Sequence, residues 1–154
     1  MSKQRALRAS KAIKLLTKAK EWLAGDKNRW VQRAWIVADS KGVARQACLI
    51  GAVAVASGRV KATQHTLYSP EELAALAALA GVIRPESARL HEDHPFEFWA
   101  QHIFGFNDSS RTRAEDVLAT LDLAIEGECK IVQSAIKNGD LPEPTEEPNE
   151  PTGP

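Results

Sequence analysis

Residues 48–56 read Cys-Leu-Ile-Gly-Ala-Val-Ala-Val-Ala, the longest apolar run in the chain. A membrane span requires about 20 apolar residues, so this run is far too short to be one. It carries no charge to mark a solvent face, and it therefore belongs in a core. Together with its neighbours it predicts a helix over residues 43–57 that is apolar nearly all round. Gly51 in the middle costs about 1 kcal/mol relative to alanine unless another backbone packs closely there. A helix of this kind has to be surrounded, and the flanking segments supply the surroundings.

Upstream, residues from about Leu7 to Ala24 form an amphipathic helix. Ala12, Leu15, Leu16, Ala19, Trp22 and Leu23 share one face, Lys11, Lys14 and Lys18 line a neighbouring stripe, and Gly25-Asp26 stops the helix. Trp30 to Ala38 is rich in β-branched and aromatic residues and reads as a short strand, followed by the turn Asp39-Ser40-Lys41-Gly42. Arg59 to Leu67 is the segment expected to pair with it.

Downstream, Ser69-Pro70-Glu71-Glu72 is a capping box with proline at the first helical position. It opens a helix that turns Leu73, Leu76 and Ala80 inward and ends at Gly81. Residues 95–104 hold Phe96, Phe98, Trp99, Ile103 and Phe104, an aromatic plug for the core. Thr112 caps the last helix, with Glu115 as its partner. Apolar positions then run Val117, Leu118, Leu121, Ala124, Ile125, Cys129, Val132 and Ile136, with Gly127 as a kink point and Asn138-Gly139 as the stop. The expected fold is mainly α: a compact bundle of about five helices with at most one short two-stranded β element.

The chain has 154 residues, with 20 Lys plus Arg against 20 Asp plus Glu. That length suits one ordinary domain. The zero net charge conceals an uneven distribution. Residues 1–33 hold ten bases and two acids, a balance of +8, whereas residues 140–154 hold five acids, no base and five of the eight prolines. The expected organisation is a basic N-terminal arm over 1–6, a single globular helical domain over 7–138, and a disordered acidic, proline-rich tail over 139–154. Two cysteines 81 positions apart, with no signal-peptide pattern, point to a reduced cytoplasmic protein.

Three groups of residues are candidates for chemistry. His91 and His94, with His102 nearby, have the residue types of a metal site, and a metal-dependent hydrolase is the alternative they support. Against this, Pro95 biases His94 away from helical geometry, and there is no HExxH. Asn107, Asp108, Arg111 and Thr112 lie at a helix start and suit a phosphate or nucleotide, although Asn-Asp-Ser-Ser is also ordinary turn chemistry. Lys11, Lys14 and Lys18 form a basic surface for an anionic partner, although such faces are commonly just solvated. No glycine-rich phosphate loop or nucleophile elbow is present, and both cysteines sit in apolar patterns that keep a thiol inert.

Several of these residues also recur in a fixed order. Trp30, Gly42, Ala44, Cys48-Leu49-Ile50-Gly51-Ala52, then Asn107-Asp108, Arg111-Thr112, Val117-Leu118, Leu121 and Ala124-Ile125 form two blocks. The chain thereby resembles a family of small bacterial and phage proteins known only as a domain of unknown function, whose members carry a CLxGA block and a later W-N-D…R-T…V-L…L…A block. The resemblance spans about Leu15 to Ile125, with Phe106 where the family tends to have tryptophan and a shorter segment before CLxGA. It implies no reaction and no cofactor, and by analogy suggests an accessory or host-interaction role. The expected function is that of a small cytoplasmic, non-enzymatic binding protein without a cofactor. Its partner is a protein or other anionic molecule, with nucleic acid less favoured and no membrane.

Overall fold

A computed structural model describes residues 3–26, 28–58, 69–86 and 96–144. Its elements are α1 (Lys3–Ala24), β1 (Ile36–Ala38), β2 (Ala44–Ala47), α2 (Leu49–Ala56), α3 (Pro70–Ile83), α4 (Phe96–Asn107) and α5 (Ala114–Lys137). The mainly helical bundle with one two-stranded sheet is the architecture that the apolar periodicity predicts.

α1 and α5 form a long antiparallel pair. Arg5 meets Glu128 and Lys20 meets Asp122, so residue numbers rise along one helix as they fall along the other. α1 buries Ala6, Ala9, Ala12, Leu16, Ala19 and Leu23, mostly small residues that let a neighbouring helix approach closely. α5 answers with Val117, Leu121, Ala124 and Ala135. Glu128 lies on the same buried stripe and forms a bidentate ion pair with Arg5 at 2.8 and 2.9 Å.

α2 occupies the centre, with Leu49, Ile50, Gly51, Ala52, Val53 and Ala54 all buried. Trp99 and Ile103 of α4 reach the same core. α3 opens with the expected capping box: Glu72 N–H donates to Ser69 Oγ at 3.1 Å, and Ser69 N–H donates to Glu72 Oε1 at 2.9 Å. The other Glu72 oxygen accepts from Ser57 Oγ at 3.0 Å, tying the end of α2 to the start of α3.

Several boundaries differ from the sequence expectations. α1 begins one turn early, at Lys3, because Ala6 packs against Ala135 and Leu141 in a second small apolar cluster. α3 runs past Gly81 to Ile83, and α5 runs unbroken through Gly127. The helix expected from Val43 starts at Leu49. Residues 44–47 form β2, and it is β2 that pairs antiparallel with β1, joining Ile36 to Ala47 and Val37 to Gln46 with a bulge before Ala38. Ala-Arg-Gln-Ala has good helix propensity, but the pairing overrides it. Ala47 is held on its other side as well, since its N–H donates to the Arg29 carbonyl and its carbonyl accepts from Val31 N–H. Of the strand expected over residues 30–38, only 36–38 is β1, and Trp30 forms an isolated bridge to Ala47. The strand expected at 59–67 lies outside the described residues.

Thr112 is not the cap of α5. Arg113 holds that position, and its N–H donates to Asp116 Oδ2 at 2.8 Å. Both Thr112–Glu115 and Arg113–Asp116 have the three-residue spacing of a capping box, and at the second only the half in which the carboxylate takes the cap N–H is made, since an arginine side chain cannot accept.

The packing at Gly51 is tight. A Cβ built on this residue would lie 2.1 Å from the Trp35 carbonyl oxygen and 3.1 Å from the Ala47 Cβ. Another backbone therefore does pack against the middle of the apolar run. Gly51→Ala is expected to lower stability by about 3 kcal/mol or more by forcing α2 off the β1 approach. Gly127 faces open space, so Gly127→Ala is expected to raise stability by about 1 kcal/mol. Urea unfolding midpoints of the two variants check both signs.

Candidate functional site

The two sequence blocks meet at one buried side chain. Asn107, the last residue of α4, is fully buried. Its Oδ1 accepts from Trp30 Nε1 at 2.7 Å and from the Leu49 backbone N–H at 3.0 Å. Its Nδ2 donates to the Val31 carbonyl at 3.2 Å and to Asp108 Oδ1 at 3.0 Å. A carboxamide has two donor hydrogens and two acceptor lone pairs, and all four are used.

The surrounding groups extend this network. Asp108 Oδ1 also accepts from Arg33 N–H at 2.9 Å. Arg33 has φ +61°, a left-handed backbone that non-glycine residues seldom adopt, and the carboxylate holds it there. Gln32 Nε2 donates to the Asn107 carbonyl at 3.0 Å and to the Ser109 carbonyl at 2.8 Å, satisfying oxygens left free at the end of α4. Segment 30–33 is thus wrapped around the α4 terminus by Trp30, Gln32 and Arg33, none of which reads from sequence as a partner of Asn107.

The start of α2 is closed in the same way. Leu49 N–H is taken by Asn107, and Gly51 N–H donates to Cys48 Sγ at 3.3 Å, which makes Cys48 the N-cap. Cys48 N–H donates in turn to the Trp35 carbonyl at 3.0 Å. Burial pushes the Cys48 thiol up to about 11 from its ordinary 9.0, against the opposing pull of the Gly51 and Ile50 N–H groups. The thiol therefore stays protonated at neutral pH and acts as a structural cap.

Asn107 and Asp108 are thus engaged within the fold. Arg111 is exposed and Thr112 half-buried, and the first turn of α5 beside them carries Glu115 and Asp116. Trp30 also lines an apolar cleft of about 140 Å³ between the end of α1 and the start of α5, together with Leu23, Val117 and Leu118.

Of the three histidines, His91 and His94 lie outside the described residues. His102 is half-buried and stands edge-on to Phe98, with ring centroids 5.7 Å apart. Among the described residues no three His, Cys, Asp or Glu side chains converge in a metal-binding arrangement.

The lysine stripe is where the periodicity places it. Lys11, Lys14 and Lys18 are exposed along one face of α1, opposite its buried stripe, and Lys3 and the 43% exposed Leu7 continue the same face. Lys11 Nζ reaches Glu71 Oε1 of α3 at 3.0 Å. Hydrogen bonding from the Glu71 backbone N–H, and after it this Lys11 contact, lower the Glu71 carboxyl below its ordinary range. Lys14 and Lys18 have no ion-pair partner among the described residues.

The chain belongs to a family of unknown function, DUF6197, whose model matches residues 8–127. No curated protein and no solved structure matches it. Among the described residues, no helix is long and apolar enough to cross a membrane.

Asn107→Ala is expected to lower stability by about 3 kcal/mol or more, because the Trp30 indole N–H and the Leu49 N–H lose their acceptor in the interior. Asn107→Asp does not restore it, since a carboxylate has no hydrogen to donate to Val31 or Asp108. Denaturant unfolding of both variants checks this. In a Cys129→Ser background, Cys48 is expected to resist a thiol reagent at about pH 8 in the folded protein and to react fully in denaturant. The stability conferred by its raised value is complete below 9.0 and is lost as pH rises through about 11.

Proposed function

We propose that this protein is a non-catalytic interaction domain of the cytoplasm that engages an acidic segment of a partner protein through the exposed lysine face of α1. The observation that carries this reading is a contrast in how polar groups are committed. Asn107, Asp108, Cys48, Glu72 and Glu128 are occupied in bonds that hold helices together. Lys14 and Lys18 stand in solvent on the exposed face of α1.

A protein partner is favoured over nucleic acid by the composition of the face. Nucleic-acid surfaces interleave arginine forks and stacking aromatics with their lysines. Here the exposed residues of α1 are lysines with Gln4, Leu7, Glu21 and Ala24, no arginine or aromatic among them, while Trp99 is buried and Trp22 is half-buried under the Arg29 guanidinium. An accessory role in a bacterium or phage is part of this reading, and two free cysteines suit a reducing compartment.

Fluorescence anisotropy with a labelled oligoglutamate peptide provides the test. The full chain is expected to bind it at low ionic strength and to lose roughly tenfold in affinity with Lys14→Glu and Lys18→Glu combined. Binding should also weaken as salt is raised to about 0.2 M. Binding unaffected by the double reversal would remove α1 as the interface. Tighter binding of a single-stranded oligonucleotide of equal charge would overturn the choice of a protein partner.

A further inference from the structure

We propose that the acidic C-terminal segment, residues 142–154, docks on the lysine face of α1 in its own chain and competes there with the external acidic partner. This rests on the reading of α1 given above and adds its regulation.

The first observation is where the described chain leads. After α5, Gly139 turns the backbone at φ +80°, and Leu141 packs into the cluster with Ala6 and Ala135. The chain therefore leaves the body beside the first turns of α1. The second is reach. Glu150, the last acid, is nine residues beyond Leu141, about 28 Å if extended at roughly 3.1 Å per residue. From Ala6 to Lys18 is about 18 Å along α1 at 1.5 Å per residue, and crossing to the opposite face of the helix adds about 10 Å of width, a straight distance of roughly 21 Å. The third is charge. Glu143, Glu146, Glu147 and Glu150 follow one another at spacings of three, one and three, while Lys3, Lys11, Lys14 and Lys18 share one face. The segment from Pro142 onward has no base and no apolar side chain other than proline, so it has charge to offer this face and nothing for a core.

Such a contact is weak pair by pair, about 0–1 kcal/mol for each exposed ion pair. Tethering makes it effective, since a short linker holds the segment at roughly millimolar local concentration. A free acidic ligand must then displace it, and its apparent affinity falls by the fraction of molecules left uncovered.

Two measurements on the full chain test the contact. In a Cys129→Ser background, a spin label at Thr152→Cys is expected to broaden the amide signals of Lys11 to Lys18 at low salt. The effect should vanish near 0.5 M salt, where screening shortens to a few Å. Replacing the four tail glutamates with glutamine should abolish the broadening and tighten oligoglutamate binding by about threefold or more. Absence of broadening at low salt, or broadening that persists with glutamine in the tail, would overturn the proposal. If the tail broadens α1 but the glutamine variant binds no anionic probe, the docking stands and the external partner falls. If the glutamine variant and the parent chain bind the probe equally, α1 remains an interface and competition by the tail is excluded.

Discussion

One carboxamide sets the geometry of the core. Asn107 joins four groups that come from three separated parts of the chain: the Trp30 indole, the Val31 carbonyl, the first N–H of α2 and the neighbouring Asp108. Only an amide can do this from a single side chain of that length, because it must accept twice and donate twice. Once Asn107 is seated, Val31 lies beside Ala47, and β2 is held between β1 and the 29–31 segment. The start of α2 is fixed at the same time, and with it the position of Gly51 under the Trp35 carbonyl. The aromatic helix α4, the hairpin and the central apolar helix therefore share one joint. Its cost if left half-made is high, because Asn107 and Leu49 are fully buried and the other members partly so.

This joint brings the two sequence blocks together in space. Cys48 is small enough to cap α2 from within the core, and Gly51 is the residue that tolerates a carbonyl at Cβ distance. The Asn-Asp pair closes the same helix from the other side. What looks like an isolated apolar run and an isolated polar turn is one contact read at two places in the chain.

The helices were legible because each buries one face, and the spacing of Ala12, Leu16, Ala19 and Leu23, or of Val117, Leu121 and Ala124, records that face directly. The hairpin was not. Ala44 to Ala47 has the propensity of a helix, and its strand identity comes from Ile36 and Val37 across the turn. The partners of Asn107 were hidden for a related reason: Asn-Asp-Ser-Ser has the composition of a turn, and its burial depends on groups about 75 residues away. Glu128 left a clearer trace, an acid placed on an otherwise apolar stripe, which implies a buried cation facing it. The lysine face of α1 was visible from sequence, whereas the settling of Lys11 on Glu71 and Lys20 on Asp122 required the packing. The basic excess of the first helix is thus smaller in the fold than on paper.

The antiparallel clasp between α1 and α5 also orders events in time. Its ion pair joins residues 123 positions apart, so the first helix to be synthesised receives its longest partner last. Translation at about 5–20 residues per second separates the two by roughly six to twenty-five seconds. Through that interval the Ala and Leu stripe of α1 has no α5 to cover it, and a non-local contact of this kind closes slowly even afterwards. The choice of alanine at four of the six buried positions of α1 bears on this interval. A stripe of small side chains packs closely once its partner arrives, yet offers little sticky surface while it waits.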